Sequence, residues 1–223
     1  MEKHIVKILD TNYLTHDVKY FKVEKPAGYS FEPGQATEVT VNKKEWKEKN
    51  RPFTFTSLPD DDYLEFIIKI YPSHRGVTNE LHQLHKNDEL ILHDVFGTIT
   101  YQGKGVFIAG GAGITPFISI FRHLQKKNEI NSNMLIFANK TKSDIILKQE
   151  LENLFGEAFI NILSDEKAEE YTHGVITENF LKEHISDFRK KFYVCGPPPM
   201  MKAVLKQLSD SGVDQSSIIK EEF

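Results

Sequence analysis

The chain has 223 residues, of which 39% are hydrophobic, and a formal net charge of -4. This length allows one large or two small hydrophobic cores, and the mildly acidic balance gives no reason to expect nucleic acid as a partner. The single cysteine, Cys195, excludes an internal disulfide and an iron-sulfur cluster held by four thiolates. No apolar run is long enough to span a membrane and the first residues do not resemble a signal peptide, so we expect a soluble cytoplasmic protein without membrane contact.

The first hundred residues contain short strand-like runs separated by turn signals, among them Pro26-Ala27-Gly28 and Glu32-Pro33-Gly34. Strands are predicted at 5–9, 18–23, 37–41, 53–56, 64–70, 89–93 and 98–101, and one helix at 78–85. Short strands at regular spacing, with alternating polar and apolar residues, predict a small antiparallel β-barrel.

The pattern changes at the glycine-rich segment 102–105. Strands are predicted at 106–109, 134–138, 159–163 and 192–195, and they alternate with helices at 116–128, 144–154, 177–185 and 198–211. This alternation predicts a parallel sheet with helices on both faces, hence an α/β domain. We therefore expect two domains, residues 1–101 and 102–223.

A glycine turn, Gly110 to Ile114, joins the first strand of the second half to its first helix. Thr115 is a fair helix cap and Pro116 suits the first helical position. Free backbone N–H groups and a helix amino terminus favour an anion there, most simply a dinucleotide pyrophosphate, although tight packing alone is an alternative. The next strand ends in Asn139-Lys140-Thr141 without a carboxylate, which disfavours an ordinary Rossmann dehydrogenase.

Two stretches of the first half carry similar chemistry. In Arg51-Pro52-Phe53-Thr54 an arginine can bind phosphate, an aromatic ring can lie on a planar ring and a hydroxyl can bond a ring edge. In Arg75-Gly76-Val77-Thr78 a helix amino terminus follows glycine and arginine. Taken singly, these are a barrel strand with a surface arginine and a capped helix. Together with the glycine turn they suggest two phosphorylated cofactors that face one another.

The motifs RPFTFTS, RGVTNEL, GGAGITP and CGPPPM, in this order, resemble those of the ferredoxin-NADP reductase superfamily, in its branch of cytochrome b5 reductases and stand-alone flavin oxidoreductases. The resemblance covers essentially the whole chain. It implies a barrel that binds FAD, with FMN less expected, followed by a domain that binds NADH or NADPH. It implies that Arg51 binds a flavin phosphate, that Phe53 stacks on the isoalloxazine and that Thr54 bonds its reactive central-ring nitrogen.

The resemblance also assigns the second cofactor. Residues 111–116 and 195–198 would receive the nicotinamide nucleotide, with Cys195 near the carbon that gives up hydride, so Thr54 and Cys195 are the predicted catalytic residues. Phe223 would cover the second flavin face, although a disordered tail is an alternative. The predicted cofactor-binding residues are Arg51, Pro52, Phe53, Thr54, Ile68, Ile70, Arg75, Gly76, Val77, Thr78, Gly111, Gly113, Ile114, Thr115, Pro116, Asn139, Asp165, Cys195, Gly196, Pro197, Pro198, Met200 and Phe223.

Two departures from the family pattern stand out. Phe53 occupies a position that is most often tyrosine, and Asp94-Val95-Phe96-Gly97 replaces the usual Gly-Pro-x-Gly. For the nucleotide, Asp165 would bond ribose hydroxyls and repel a 2′-phosphate, which favours NADH, whereas Lys140 and Lys142 could neutralise that phosphate.

We therefore predict an NAD(P)H-dependent flavoprotein reductase that passes hydride to FAD and then electrons to a separate acceptor, which is a ferredoxin, flavodoxin, cytochrome or small molecule. Two alternatives stay open: a non-catalytic flavin-binding subunit of a larger complex, and a flavin reductase that releases reduced flavin. No metal site is expected, because His82 with His85 and His93 with Asp94 lack a third ligand. The oligomeric state is not predicted.

Overall fold

The structure is a computed structural model that describes residues 3–73, 76–97 and 99–220. The chain divides into two compact units. The first comprises the described residues up to Thr100 together with Thr115–His123, and the second comprises Tyr101–Ile114 and the described residues from Leu124 onward. The predicted domain limits, 1–101 and 102–223, stay a prediction.

The first unit contains a six-stranded antiparallel sheet in the order β4-β3-β6-β1-β2-β5. The backbone N–H of Thr56, just after β4, donates to the carbonyl of Glu65 in β5 at 2.8 Å, so the two edges of the sheet meet. This confirms the predicted antiparallel barrel. Its strands are β1 His4–Tyr13, β2 Val18–Glu24, β3 Ala36–Val41, β4 Asn50–Thr54, β5 Tyr63–Lys69 and β6 Glu89–Phe96, and the helix α1 Val77–His82 lies between β5 and β6.

Alternation along the strands builds the barrel core. In β1, Val6 and Ile8 are 1% and 0% exposed, whereas the neighbouring residue Ile5, on the outward face, is 60% exposed. Successive side chains of a strand point to opposite faces, so every second residue enters the core. The rings of Phe21, Phe55 and Phe66 fill its centre.

The second unit contains a six-stranded parallel sheet in the order β10-β9-β8-β7-β11-β12. This confirms the predicted α/β architecture. The short edge strands β10 and β12 were not predicted. The strands are β7 Gly105–Gly110, β8 Met134–Asn139, β9 Phe159–Leu163, β10 Thr172–His173, β11 Lys191–Cys195 and β12 Ile218–Lys220, and the helices are α2 Thr115–Lys126, α3 Lys148–Phe155, α4 Glu178–His184 and α5 Pro198–Asp210.

Two predicted elements are wrong in the described part of the chain. Residues 99–101 form no strand, and Thr98 lies outside the described residues. Side chains anchor this segment instead, because the Tyr101 ring stacks on Phe107 and Tyr193, with centroids 6.5 and 6.0 Å apart. The helix predicted at 144–154 begins only at Lys148, since Leu147 adopts a left-handed backbone conformation with φ of 53° that a continuous helix does not permit.

None of the helices in residues 3–73, 76–97 and 99–220 combines the length and apolar character needed to cross a lipid bilayer.

Candidate functional site

The edge strand β4 carries the first predicted site residues. Arg51 is exposed, and its guanidinium donates to the carbonyl of Asn50 at 2.7 Å. Pro52 is also exposed, which suits an edge strand because proline has no N–H for a ladder. Phe53 packs against the barrel core but stays half-buried. β4 therefore presents a cation and part of an aromatic ring at the surface of the first unit.

Thr54 ends β4 and is 8% exposed. Its hydroxyl donates a hydrogen bond to the hydroxyl of Thr115 at 2.9 Å. Thr115 is the first residue of α2, one position before the predicted start of that helix. Two motifs 61 positions apart in sequence are thus in direct contact within the first unit.

Further bonds hold α2 on the segment after β4. The Ser119 hydroxyl donates to the carbonyl of Ser57 at 2.7 Å, and the Arg122 guanidinium donates to the carbonyl of Thr56 at 2.8 Å. Arg122 also pairs with the Glu65 carboxylate at 2.7 Å. Sequence reasoning missed these positioning residues. The only available signal was a polar residue on an otherwise apolar helical face.

The glycine turn of the second unit is a tight 3₁₀ helix, Gly111–Ile114, that leads directly into α2. Gly111 has φ of 51° and open space where a side chain would start. A Cβ at Gly113 would lie 2.3 Å from the carbonyl oxygen of Cys195, so only glycine allows this approach. Ile114 is buried beneath the turn, and Pro116 is buried in the first turn of α2.

The end of β11 lies beside the glycine turn. The side chain of Cys195 is partly exposed, and its strand position is opposite Ala109 of β7. Gly196 and Pro197 follow, and Pro198 begins α5, where a missing N–H costs little. The Met200 side chain packs closely against Gly110 at the start of the turn. A Cβ added to this glycine would lie 2.4 Å from the Met200 sulfur. Within the second unit, the two predicted nicotinamide segments are therefore in contact.

Backbone that is free of side chains and followed by a helix fits a pyrophosphate. Gly111 leaves its surroundings open, while α2 supplies a positive dipole end after the turn. These features suit the phosphates of a dinucleotide better than an apolar ligand.

The helix α1 is anchored at its carboxyl end. Lys19 is only 5% exposed, and its ammonium donates to the carbonyls of Leu84 at 2.7 Å and His82 at 3.2 Å. Burial lowers the pKa of Lys19. At the other end, Gly76 is the extended N-cap and Val77 is buried in the first turn, so α1 begins one residue before the predicted position. Thr78 follows in the same turn.

The remaining predicted site residues are dispersed. Ile68 and Ile70 are buried in the barrel core. Asn139 ends β8 and is 7% exposed, with neither amide atom paired among the described residues. Asp165 is exposed beyond β9, where it accepts from the Ser164 hydroxyl at 2.6 Å. Arg75 and Phe223 lie outside the described residues.

Comparison with known protein families shows to which family the chain belongs. Residues 3–140 match the FAD-binding domain family, and residues 107–206 match the oxidoreductase NAD-binding domain family. The first match covers more than half of the chain. The chain belongs to the FAD-binding domain family, in agreement with the resemblance predicted from its motifs. This confirms the predicted cofactors, FAD and a nicotinamide nucleotide.

Relatives of known name agree with the family. Nitrate reductase [NADH] of Solanum lycopersicum is 30% identical over 263 residues, which cover 100% of this chain and 28% of that protein. NADH-cytochrome b5 reductase 1 of Homo sapiens is 27% identical, over 90% of this chain and 79% of that protein. The chain thus spans less than a third of the nitrate reductase that it matches.

Solved structures share the fold. A ferredoxin NADP+ reductase from Neisseria gonorrhoeae with bound FAD and NADP superposes with a TM-score of 0.87 at 19% identity, over 99% of this chain and 98% of that one. The flavohem-like FAD/NAD binding domain of nitric oxide dioxygenase from Vibrio cholerae gives a TM-score of 0.86 at 23% identity, over 98% of both chains. Proteins with quite different sequences therefore share this fold.

Proposed function

We propose that this chain is a reductase module that takes hydride from NADH into FAD and passes electrons to a separate acceptor. The observation that carries the proposal is the hydrogen bond between Thr54 and Thr115. It joins the end of the predicted flavin strand to the start of the helix that follows the predicted nicotinamide turn. Hydride transfer needs two rings held at short range, and direct contact between the two motifs supports that requirement.

The residues have separate tasks in this proposal. When bound, FAD accepts hydride from reduced nicotinamide and gives up electrons one at a time. Arg51 and the backbone of residues 76–78 bind flavin phosphates, and Phe53 supports the isoalloxazine ring. Residues 111–116 and 195–198 bind the nicotinamide nucleotide, with Cys195 packed against the reacting ring.

Thr54 needs no ionisable partner for its role. It is largely buried, and its bond to Thr115 joins two neutral hydroxyls. Such a pair orients a hydroxyl without adding charge, which suits a reaction that requires position rather than acid-base catalysis.

The acceptor is proposed by class only. Related proteins are named for reduction of nitrate or cytochrome b5, and one is the reductase component of a propane 2-monooxygenase from Rhodococcus jostii. An oxygenase or cytochrome therefore fits best, and a small molecule is the alternative. NADH is the proposed donor because a carboxylate, Asp165, follows β9 and because two of these relatives are named as NADH enzymes.

The test is turnover of purified protein with NADH and ferricyanide. A reductase module should purify yellow, lose its flavin absorbance with NADH and reduce ferricyanide. Yellow protein that NADH does not bleach would instead identify a non-catalytic electron-transfer subunit. Colourless protein that is active only with added flavin would identify a flavin reductase that releases its product.

A further inference from the structure

One carboxylate of the first unit receives donors from two different elements. Glu65 lies on β5, and its Oε1 accepts from the Thr56 hydroxyl at 2.8 Å and from the Arg122 guanidinium at 2.7 Å. The Glu65 side chain is only 17% exposed. Thr56 belongs to the segment after β4, whereas Arg122 belongs to α2. Because a single oxygen binds both donors, Glu65 ties the two elements to one point.

The backbone of Glu65 holds the same segment in place. Its N–H donates to the Ser57 hydroxyl at 3.0 Å, and its carbonyl accepts from the N–H of Thr56 at 2.8 Å. Thr56 and Ser57 are 0% and 1% exposed. Buried and paired polar groups restrict the backbone strongly, because a broken bond would leave an unsatisfied group in the interior. The segment that follows Thr54 is therefore firmly attached to β5.

The helix α2 contacts this segment through one of its faces. Residues spaced by four and three positions lie on the same side of a helix, and the contacts come from three such residues, Thr115, Ser119 and Arg122. At one end, Thr115 and Thr54 share a bond between neutral hydroxyls. At the other end, Arg122 forms a charge-assisted pair, and such pairs are about twice as strong as neutral bonds. The stronger end therefore determines where the hydroxyl pair can form.

We propose that Glu65 is a positioning residue for hydride transfer. Its carboxylate fixes Arg122 and Thr56 to one point, which sets the position of α2 beside the segment after β4. This position holds the Thr54 hydroxyl in the orientation that the reaction needs. Glu65 acts on the reaction through Thr54 rather than by contact with a cofactor. The inference rests on the proposed function, because it assumes that Thr54 orients the reacting flavin ring.

The experiment compares Glu65→Ala with wild type in flavin-loaded protein, by anaerobic stopped-flow absorbance at several NADH concentrations. The limiting rate of flavin reduction should fall by about tenfold because orientation is lost, while the apparent Kd for NADH stays nearly unchanged. Glu65→Gln keeps an acceptor oxygen for one of the two donors and should lose only about two- to threefold. This variant also keeps the volume of the side chain, so it carries the test if the alanine variant does not fold.

A double substitution separates positioning from general stability. If Glu65 acts through the Thr54 hydroxyl, Glu65→Ala should add almost nothing to the slow flavin reduction of Thr54→Val. Glu89→Ala is the matched control, because it removes another half-buried barrel carboxylate, which accepts from the Asn42 side chain at 2.7 Å instead of from α2. This control should reduce flavin at the wild-type rate even if it unfolds more easily.

A second readout does not depend on turnover. The visible circular dichroism of bound flavin reports the arrangement of groups around its ring. Glu65→Ala should change this spectrum in the same direction as Thr54→Val, and Glu89→Ala should leave it as in wild type.

Four results would overturn the proposal: flavin reduction at the wild-type rate in Glu65→Ala, an equal loss of rate in Glu89→Ala, single-variant losses that multiply in the double variant, or a wild-type spectrum in Glu65→Ala. Wild-type flavin that NADH does not bleach would contradict the proposed function instead. The spectra would then still show whether Glu65 positions Thr54.

Discussion

The Thr54 hydroxyl is the residue-scale feature on which the proposed reaction depends most. Thr54→Val keeps the shape of the side chain and removes the bond to Thr115. We expect flavin to stay bound and its reduction by NADH to slow by about tenfold or more, since orientation of the reacting ring is lost. Anaerobic stopped-flow absorbance measures this rate. Thr54→Ser retains the hydroxyl and should react almost as fast as wild type, whereas an unimpaired valine variant would refute the role.

Tyr193 predicts a pH effect on stability. Burial raises the pKa of Tyr193 to about 12 from the usual 10.0. The folded state then keeps a proton that the unfolded state loses near pH 10, so stability is full below pH 10 and falls as pH rises toward 12. We expect the free energy of unfolding to drop by about 1 kcal/mol between pH 9 and 11 through this group.

Tyr193→Phe is the variant that isolates this effect. It removes the hydroxyl that accepts from the N–H of Gln102 at 2.8 Å and donates to the carbonyl of Gly103 at 2.7 Å. Denaturant unfolding at pH 8 should show a loss of about 1–2 kcal/mol, and the alkaline drop should become shallower. An equal alkaline drop in both proteins would show that Tyr193 is not its source.

The contacts of the candidate site were predictable only where they are local in sequence. The glycines of the turn, Thr115 and Cys195 belong to short motifs, and the structure places the glycine turn beside the end of β11. The ion pair of Arg122 with Glu65 joins residues 57 positions apart, and no spacing rule connects them.

At the scale of secondary-structure elements, the feature to test is the set of bonds that holds α2 on the barrel. Arg122 bonds both the Thr56 carbonyl and the Glu65 carboxylate, and the ion pair is largely shielded from water. Arg122→Met should lower the free energy of unfolding by about 2–3 kcal/mol, because it removes the charged donor from a partly buried carboxylate and from a carbonyl. Urea denaturation measures the loss.

Lys182→Met is the control for that variant, because Lys182 forms an exposed pair with Glu178 on α4. It should cost no more than about 0.5 kcal/mol. If both substitutions have equal effects, the bonds of Arg122 do not hold α2 in place.

Helices and strands with a strong hydrophobic periodicity could be predicted from the sequence, whereas very short strands could not. Strand β9 was predicted at its exact bounds, since a buried apolar run has clear ends. The edge strands β10 and β12 have two and three residues, too few for any period. The helix expected at 144–154 failed because Ile145 and Ile146 continue an apolar pattern while Leu147 turns the backbone away from helical geometry.

At the scale of the whole molecule, the order of the two architectures followed from the sequence, but the path of the chain did not. A change from strand repeats to alternating strands and helices predicted a barrel followed by a parallel sheet. Thr115–His123 nevertheless group with the first unit. Hydrogen bonds that join this helix to Thr54, Ser57 and Glu65 explain that grouping, and they arise only from tertiary structure.

The central claim is that hydride passes from nicotinamide to FAD bound by this chain. Anaerobic rapid mixing of the flavin-loaded protein with NADH, deuterated on one or the other face of its reacting carbon, tests it most directly. We predict that one equivalent of NADH bleaches the flavin and that only one of the two deuterated forms does so more slowly. Flavin that stays oxidised at saturating NADH, or bleaching at the same rate with both forms and with undeuterated NADH, would contradict the claim.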